Sequence, residues 1–283
     1  MVKYHGALDY YVLKRDSQYI ILFLDDHSME TYCKYPAENL DGLLNDFLDN
    51  KKSTLILEEI YGDVDFNSLF SSKHLDIYFK FYEKYKNNKD VVNADIRILF
   101  NNFGDENQFN NLDELFGITN NNTNQNITNI RNFIEKVASK SLYFRTHYNL
   151  IKFDYLRIKE LYKNTPNVNY DIVTVKILNK INLIYPFSID DDVTTVPVEN
   201  QWETFYSGLM EMYIISLIED NDNPYILLYL GAAHCVIIYK VLVKYYGFQI
   251  KRKVKKLNVE NKDFMLFTDF DVMNKMCIDY TIM

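Results

Sequence analysis

The sequence predicts an α/β fold: a central, mainly parallel or mixed sheet flanked by helices, with a helical insertion in the middle of the chain. Three observations carry this. Two unbroken apolar runs, residues 19–24 and 225–230, have the length and composition of strands buried on both faces. Each leads into a histidine, through Asp25-Asp26-His27 in one case and Gly231-Ala232-Ala233-His234 in the other. An amphipathic helical pattern then separates the first run from a further short apolar run, the alternation typical of parallel sheets.

Residues 8–14 alternate weakly, and Arg15-Asp16-Ser17-Gln18 supplies a turn, so the first run is the second strand of a hairpin. Leu40, Leu43, Leu44, Phe47 and Leu48 keep helical spacing on one face, and Asn50-Lys51-Lys52 ends that helix. Residues 54–57 are a buried strand that runs straight into Glu58-Glu59. A strand, a helix and a strand joined this way imply a parallel pair with a right-handed crossover. This reading sets the Glu58 strand beside the first one. Residues 69–85 read as an aromatic-rich helix, and 91–100 as a third strand carrying Asp95 and Arg97 on one face.

Residues 101–126 are rich in Asn, Asp and Gly and read as a surface insertion. Ile127, Ile130, Phe133, Ile134 and Val137 mark a helix. So do residues 145–165, with Leu150, Phe153, Leu156 and Ile158 expected inside. Residues 171–183 fit helix or strand, and 186–197, with Asp190-Asp191-Asp192, are irregular. Phe205, Leu209, Met212, Tyr213 and Ser216 define a helix before the second apolar run. The helix after His234 ends at Gly247, and residues 248–257 and 264–268 complete the sheet. No repeat or clean linker appears, so 1–283 reads as a single domain, with 101–200 as a helical and Asn-rich insertion.

The formal net charge of −8 argues against nucleic-acid partners. The one basic stretch, Lys251-Arg252-Lys253-Val254-Lys255-Lys256, reads as a solvated edge strand guarded by lysines, with a phosphate-binding or partner patch as the alternative. The three cysteines, Cys33, Cys235 and Cys277, form no CxxC, so neither a disulfide scaffold nor a zinc knuckle is indicated. No secretory leader is recognisable, and no apolar run reaches the roughly 18 residues of a membrane span. These features predict an intracellular, reducing location.

Ligands of open α/β sheets bind at the carboxyl ends of the strands. His27, Glu58 and His234 all follow strands and are the candidate centre. Imidazole and carboxylate together suit general acid–base work. They also suit a divalent metal (Mn, Co or Zn), with Asp26 as a fourth ligand. Gly231 allows a tight turn, and the helix start at His234 favours the neutral imidazole that acts as base or ligand. Arg97 would bind an anion or developing oxyanion, with Asp95 as its partner. The alternatives are helix capping for the acids and a plain buried ion pair for Asp95 and Arg97. His5, His74 and His147 have less supporting context. The chain has no GxSxG elbow, Walker loop or GxGxxG, which argues against serine α/β-hydrolases, P-loop NTPases and simple dinucleotide folds.

Strand-xxx-His near the start, strand-Glu next and strand-Gly-x-x-His near the end resemble the erythromycin esterase / ChaN / TraB / Tiki superfamily. The arrangement Leu24-Asp25-Asp26-His27, Glu58, Asp95-Ile96-Arg97 also resembles uncharacterised members in large DNA viruses. The resemblance covers about residues 19–100 and 203–270, and Leu24 stands where the family has its first glycine. It implies a hydrolase of peptide or small ester bonds, metal-dependent in some members, histidine-based in others, and replaced by haem binding in a few. It equally allows a catalytically degenerate virion or interaction protein, with virion proteins as partners. The implied location is the host cytoplasm or the virion.

Overall fold

The computed structural model describes residues 3–5, 9–25, 38–58, 88–96, 99, 113–118, 125–162, 199–252 and 278–279. In chain order the elements are β1 (Lys3–His5), β2 (Asp9–Arg15), β3 (Gln18–Asp25), β4 (Glu38–Asn39), α1 (Leu40–Asn50), β5 (Ser53–Leu57), β6 (Val91–Asn93), α2 (Gln125–Lys140), α3 (Leu142–Tyr162), α4 (Glu199–Glu219), β7 (Tyr225–Gly231), α5 (Ala232–Tyr246), β8 (Gln249–Arg252) and β9 (Ile278–Asp279). They fall into two compact units, Met1–Asp95 with Asn221–Met283, and Ile96–Asp220. No helix among the described residues is long and apolar enough to cross a membrane.

The first unit holds a mixed, mostly parallel six-stranded sheet in the order β6-β5-β7-β3-β2-β8. β6, β5, β7 and β3 run parallel, while β2 and β8 are antiparallel additions at one edge. The predicted hairpin is β2–β3. Arg15 pairs with Gln18, and Asp16 takes a φ of 51°, the left-handed value that a two-residue turn needs and aspartate tolerates.

β5 does not pair with β3, contrary to the sequence expectation; β7 lies between them. Residues 226–230 of β7 are all inaccessible, as suits a central strand with helices covering both sides. β3 and β5 are buried as well, so burial permits this order without dictating it. On one face Leu40, Leu43, Leu44 and Phe47 of α1 pack against Ile21, Phe23, Leu55, Leu57, Leu227 and Tyr229. On the other lies α5, with Cys235, Val236, Ile238, Val241 and Leu242 buried and Tyr239 stacked on Tyr11 at 4.4 Å between centroids. α5 stops at Gly247, as expected. Its φ of 69° is left-handed, and its amide donates to the Leu242 carbonyl.

The third predicted strand is shorter than its pattern. β6 ends at Asn93, whose side-chain oxygen accepts the Asp95 N–H at 2.8 Å and turns the chain out of the sheet. Asp95 therefore lies beyond the strand, so the argument that it shares a strand face with Arg97 does not hold. β8 is an edge strand, as expected where the basic run begins, with Gln249, Ile250 and Lys251 exposed; residues 253–257 lie outside the described residues. A second, three-stranded sheet, β4-β1-β9, was not foreseen, because strands of two or three residues carry no readable period.

In the second unit α2, α3 and α4 pack together, the helical stretch expected in mid-chain. Ile127, Ile130 and Ile134 of α2 are buried as their spacing predicts. The face predicted for α3 is wrong. Leu150, Phe153 and Leu156 are exposed, and the buried stripe is Phe144, Tyr148, Ile151 and Tyr155. Tyrosine rings supply more apolar area than leucine while their hydroxyls reach polar partners, as Tyr155 does to Asp113 at 2.5 Å. The readings at 69–85, 171–183, 186–197 and 264–268, and most of 101–126, lie outside the described residues.

Candidate functional site

The carboxyl ends of the parallel strands carry buried acids. Asp25 ends β3, Glu58 follows β5, and Asp95 lies two residues past β6; their exposures are 2%, 3% and 7%. Carboxylates this deep need compensating donors, and Glu58 and Asp25 each accept a hydrogen bond from β7.

Glu58 is held by β7, the strand that was not expected beside β5. Its own N–H donates to the Tyr229 carbonyl at 3.2 Å, so it continues the β5–β7 ladder for one more residue. Its Oε2 then accepts the Gly231 N–H at 2.7 Å. Gly231 is the N-cap of α5 and has no side chain to cap the helix. Glu58 supplies the anion there instead, where the helix dipole favours it. Gly231 adopts φ −51° and ψ 140°, a conformation open to any residue. The tight turn expected here is made, with β7 passing directly into α5, but it needs no backbone freedom peculiar to glycine, and what the site uses is the Gly231 amide.

His234 stands in the first turn of α5. Its Nε2 lies 3.7 Å from Glu58 Oε1, and its side chain is 16% exposed. That distance is ion-pair reach but longer than a hydrogen bond. One carboxylate thus touches the helix start with one oxygen and faces the imidazole with the other.

Asp25 is the acid that sequence reasoning passed over in favour of Asp26. It is in register with Gly231 and accepts a hydrogen bond from the Tyr229 hydroxyl. Burial first, and then the nearby Asp25 charge, push the Tyr229 phenol well up, so it stays a donor. The signal was period two: Ile21, Phe23 and Asp25 share a strand face, and Ile21 and Phe23 lie in the core on α1.

Cys235 adjoins His234 but is not a nucleophile candidate. It is inaccessible, and its thiol donates to the carbonyls of Phe23 at 3.3 Å and Leu230 at 3.6 Å. Burial raises its pKa well above the ordinary value, and the charges of Glu58 and then Asp25 raise it further. A thiol held protonated is inert.

No known protein family, curated protein or solved structure matches the chain.

Of the residues singled out from the sequence, the structure brings Glu58 and His234 together. Asp95 sits at the same sheet edge. His27, Asp26, Arg97 and Glu59 lie outside the described residues. Among the described residues no three His, Cys, Asp or Glu side chains are grouped to hold a metal ion. The donor set described here does not by itself fit one.

His147 belongs to the other unit and takes a structural part. Its Nδ1 lies 2.8 Å from the Tyr143 carbonyl, one helical turn back, and its ring is 4.0 Å from the Tyr143 ring. Burial lowers its pKa from 6.5, with the Tyr143 hydrogen bond and the Glu219 charge opposing. With the folded value depressed, the unfolded chain binds the proton first as pH falls. The stability tied to neutral His147 is present above 6.5 and is lost as pH drops through the folded value. The melting temperature of the intact chain should therefore fall between about pH 7 and pH 5, and His147→Gln should reduce that slope. An unchanged slope in the variant would refute this role.

Proposed function

We propose that the protein is a hydrolase of peptide or ester bonds whose centre is His234 with Glu58. The observation that carries this is the pairing itself, a half-buried imidazole 3.7 Å from a carboxylate pinned by a helix-start amide at the carboxyl edge of parallel strands. In this reading Glu58 faces Nε2 and favours the tautomer protonated there. Nδ1 is then the nitrogen that takes a proton from attacking water, and Glu58 offsets the positive charge the ring acquires. His27, two residues beyond Asp25, would join the centre. Arg97 would stabilise negative charge on the substrate, with Asp95 orienting it. A metal-assisted version would need His27 and Asp26 as ligands beside His234 and Glu58, and no step is derived through a metal. The motifs that resemble the erythromycin esterase / ChaN / TraB / Tiki superfamily point to the same bond types.

A second reading, a catalytically degenerate virion or interaction protein on the same fold, is favoured by Leu24. It is fully buried and pairs in the strand with Asp9 and Leu230, where a glycine would open the loop earlier. Turnover of a panel of chromogenic esters and fluorogenic peptides, with elemental analysis of the purified protein, separates the two. Hydrolysis that falls by about 100-fold or more in His234→Ala supports the first. Turnover equal in wild type and variant, or absent across the panel, favours the second.

A further inference from the structure

α3 has two apolar faces, and its own unit covers one of them. Phe144, Tyr148, Ile151 and Tyr155 are buried, whereas Leu142, Leu150, Phe153 and Leu156 are 65%, 50%, 62% and 38% exposed. At about 100° per residue these four fall within an arc of about 120°, along roughly 21 Å of helix. Single exposed leucines are ordinary, but four on one arc form a patch. Thr146 and Asn149 are exposed inside the same arc.

The patch has a charged border. Arg145 is exposed and Lys152 half-buried. Seven residues apart, they stand in line along one side of the arc, and the sequence continues the line at Lys159. Arg157, also exposed, adds positive charge inside the arc, and the exposed Glu160 lies in the same arc about one turn past Leu156. On a chain of net charge −8 this is a local reversal of sign.

We propose that this face of α3 seats an amphipathic helix of a partner protein. The partner would lay leucine-like side chains at helical spacing against Leu142, Leu150, Phe153 and Leu156, and an acidic row against Arg145 and Lys152. Charge complementarity selects this occupant over an antiparallel second copy and over a lipid surface. Two copies of α3 packed face to face and antiparallel would bring both basic rows to the same side, like against like. A lipid-bound interfacial helix is rich in Lys and Arg across its polar face and relies on attraction to anionic lipid. Here the basic row borders one side only, on an acidic chain.

The test uses the full chain and a labelled synthetic probe helix of about five turns, with leucines at heptad spacing and a flanking glutamate row. Its twin carries lysine in place of glutamate. Fluorescence anisotropy should show saturable binding of the glutamate probe. Arg145→Glu with Lys152→Glu, and separately Phe153→Ser, should each weaken it by about tenfold or more. The lysine probe should bind the reversed-charge variant better than it binds wild type. None of the three positions is buried, so circular dichroism should be unchanged. The proposal is overturned if the glutamate probe does not bind, or binds the variants as well as wild type. It is also overturned if light scattering shows a dimer that Phe153→Ser dissolves, or if the chain sediments with phosphatidylserine vesicles through the same residues.

Discussion

Replacing Glu58 with alanine should destabilise the sheet unit by about 2–4 kcal/mol, measured as a shift of the urea midpoint at constant slope. Three effects add. The buried Gly231 N–H loses its acceptor at 2.7 Å, the start of α5 loses the anion facing its dipole, and His234 loses the carboxylate 3.7 Å away. Glu58→Gln separates them. Its amide oxygen can still accept from Gly231, so only the charge-dependent part is lost, about 1 kcal/mol. The ordering wild type, then Gln, then Ala is the expected result. Equal stability of Ala and wild type would mean that the Gly231 contact contributes nothing. The same pair tests the chemistry from another side. Glu58→Gln should preserve the fold while removing the charge that offsets a protonated His234, so any hydrolysis should fall much further than stability.

The parts of this architecture that were readable from residues are those where one physical cause dominates. β3 and β7 carry runs of apolar side chains because helices cover both faces, and nothing but a central strand needs that pattern. Glu58 and His234 were legible because polar residues directly after such runs must lie at the strand ends. Neighbour relations were not legible: period and hydrophobicity say that β5 is buried but not that β7 separates it from β3. α3 shows a second limit. Its sequence contains two apolar stripes, and spacing alone does not say which one faces the bundle. The tyrosines at 148 and 155 decided it, because their hydroxyls can be satisfied at the rim while the rings pack inside. Asp25 was not legible as a buried acid, because an acid at the end of an apolar run looks like the start of a loop. Its partner, Tyr229, is 204 positions away and becomes visible only once β3 and β7 are in register.

That partnership yields the second large effect. Tyr229 lies at the centre of the sheet, inaccessible, in the core shared by Phe23, Leu57 and α1. Tyr229→Ala removes a full aromatic side chain from a close-packed interior and should cost about 3–5 kcal/mol. Tyr229→Phe keeps the ring and removes only the hydroxyl that donates to Asp25. It should still cost about 1–3 kcal/mol, because a carboxylate that is 2% exposed loses a donor it cannot replace with bulk water. If that account is right, the loss belongs to the pair rather than to the tyrosine. Tyr229→Phe introduced into an Asp25→Asn background should cost clearly less than in wild type, since a neutral amide suffers less from the missing donor. A double-mutant cycle in urea with a coupling of about 1 kcal/mol or more is the expected outcome. Strict additivity would show instead that the phenol acts only by filling space, and that Asp25 draws its compensation from elsewhere at the sheet edge.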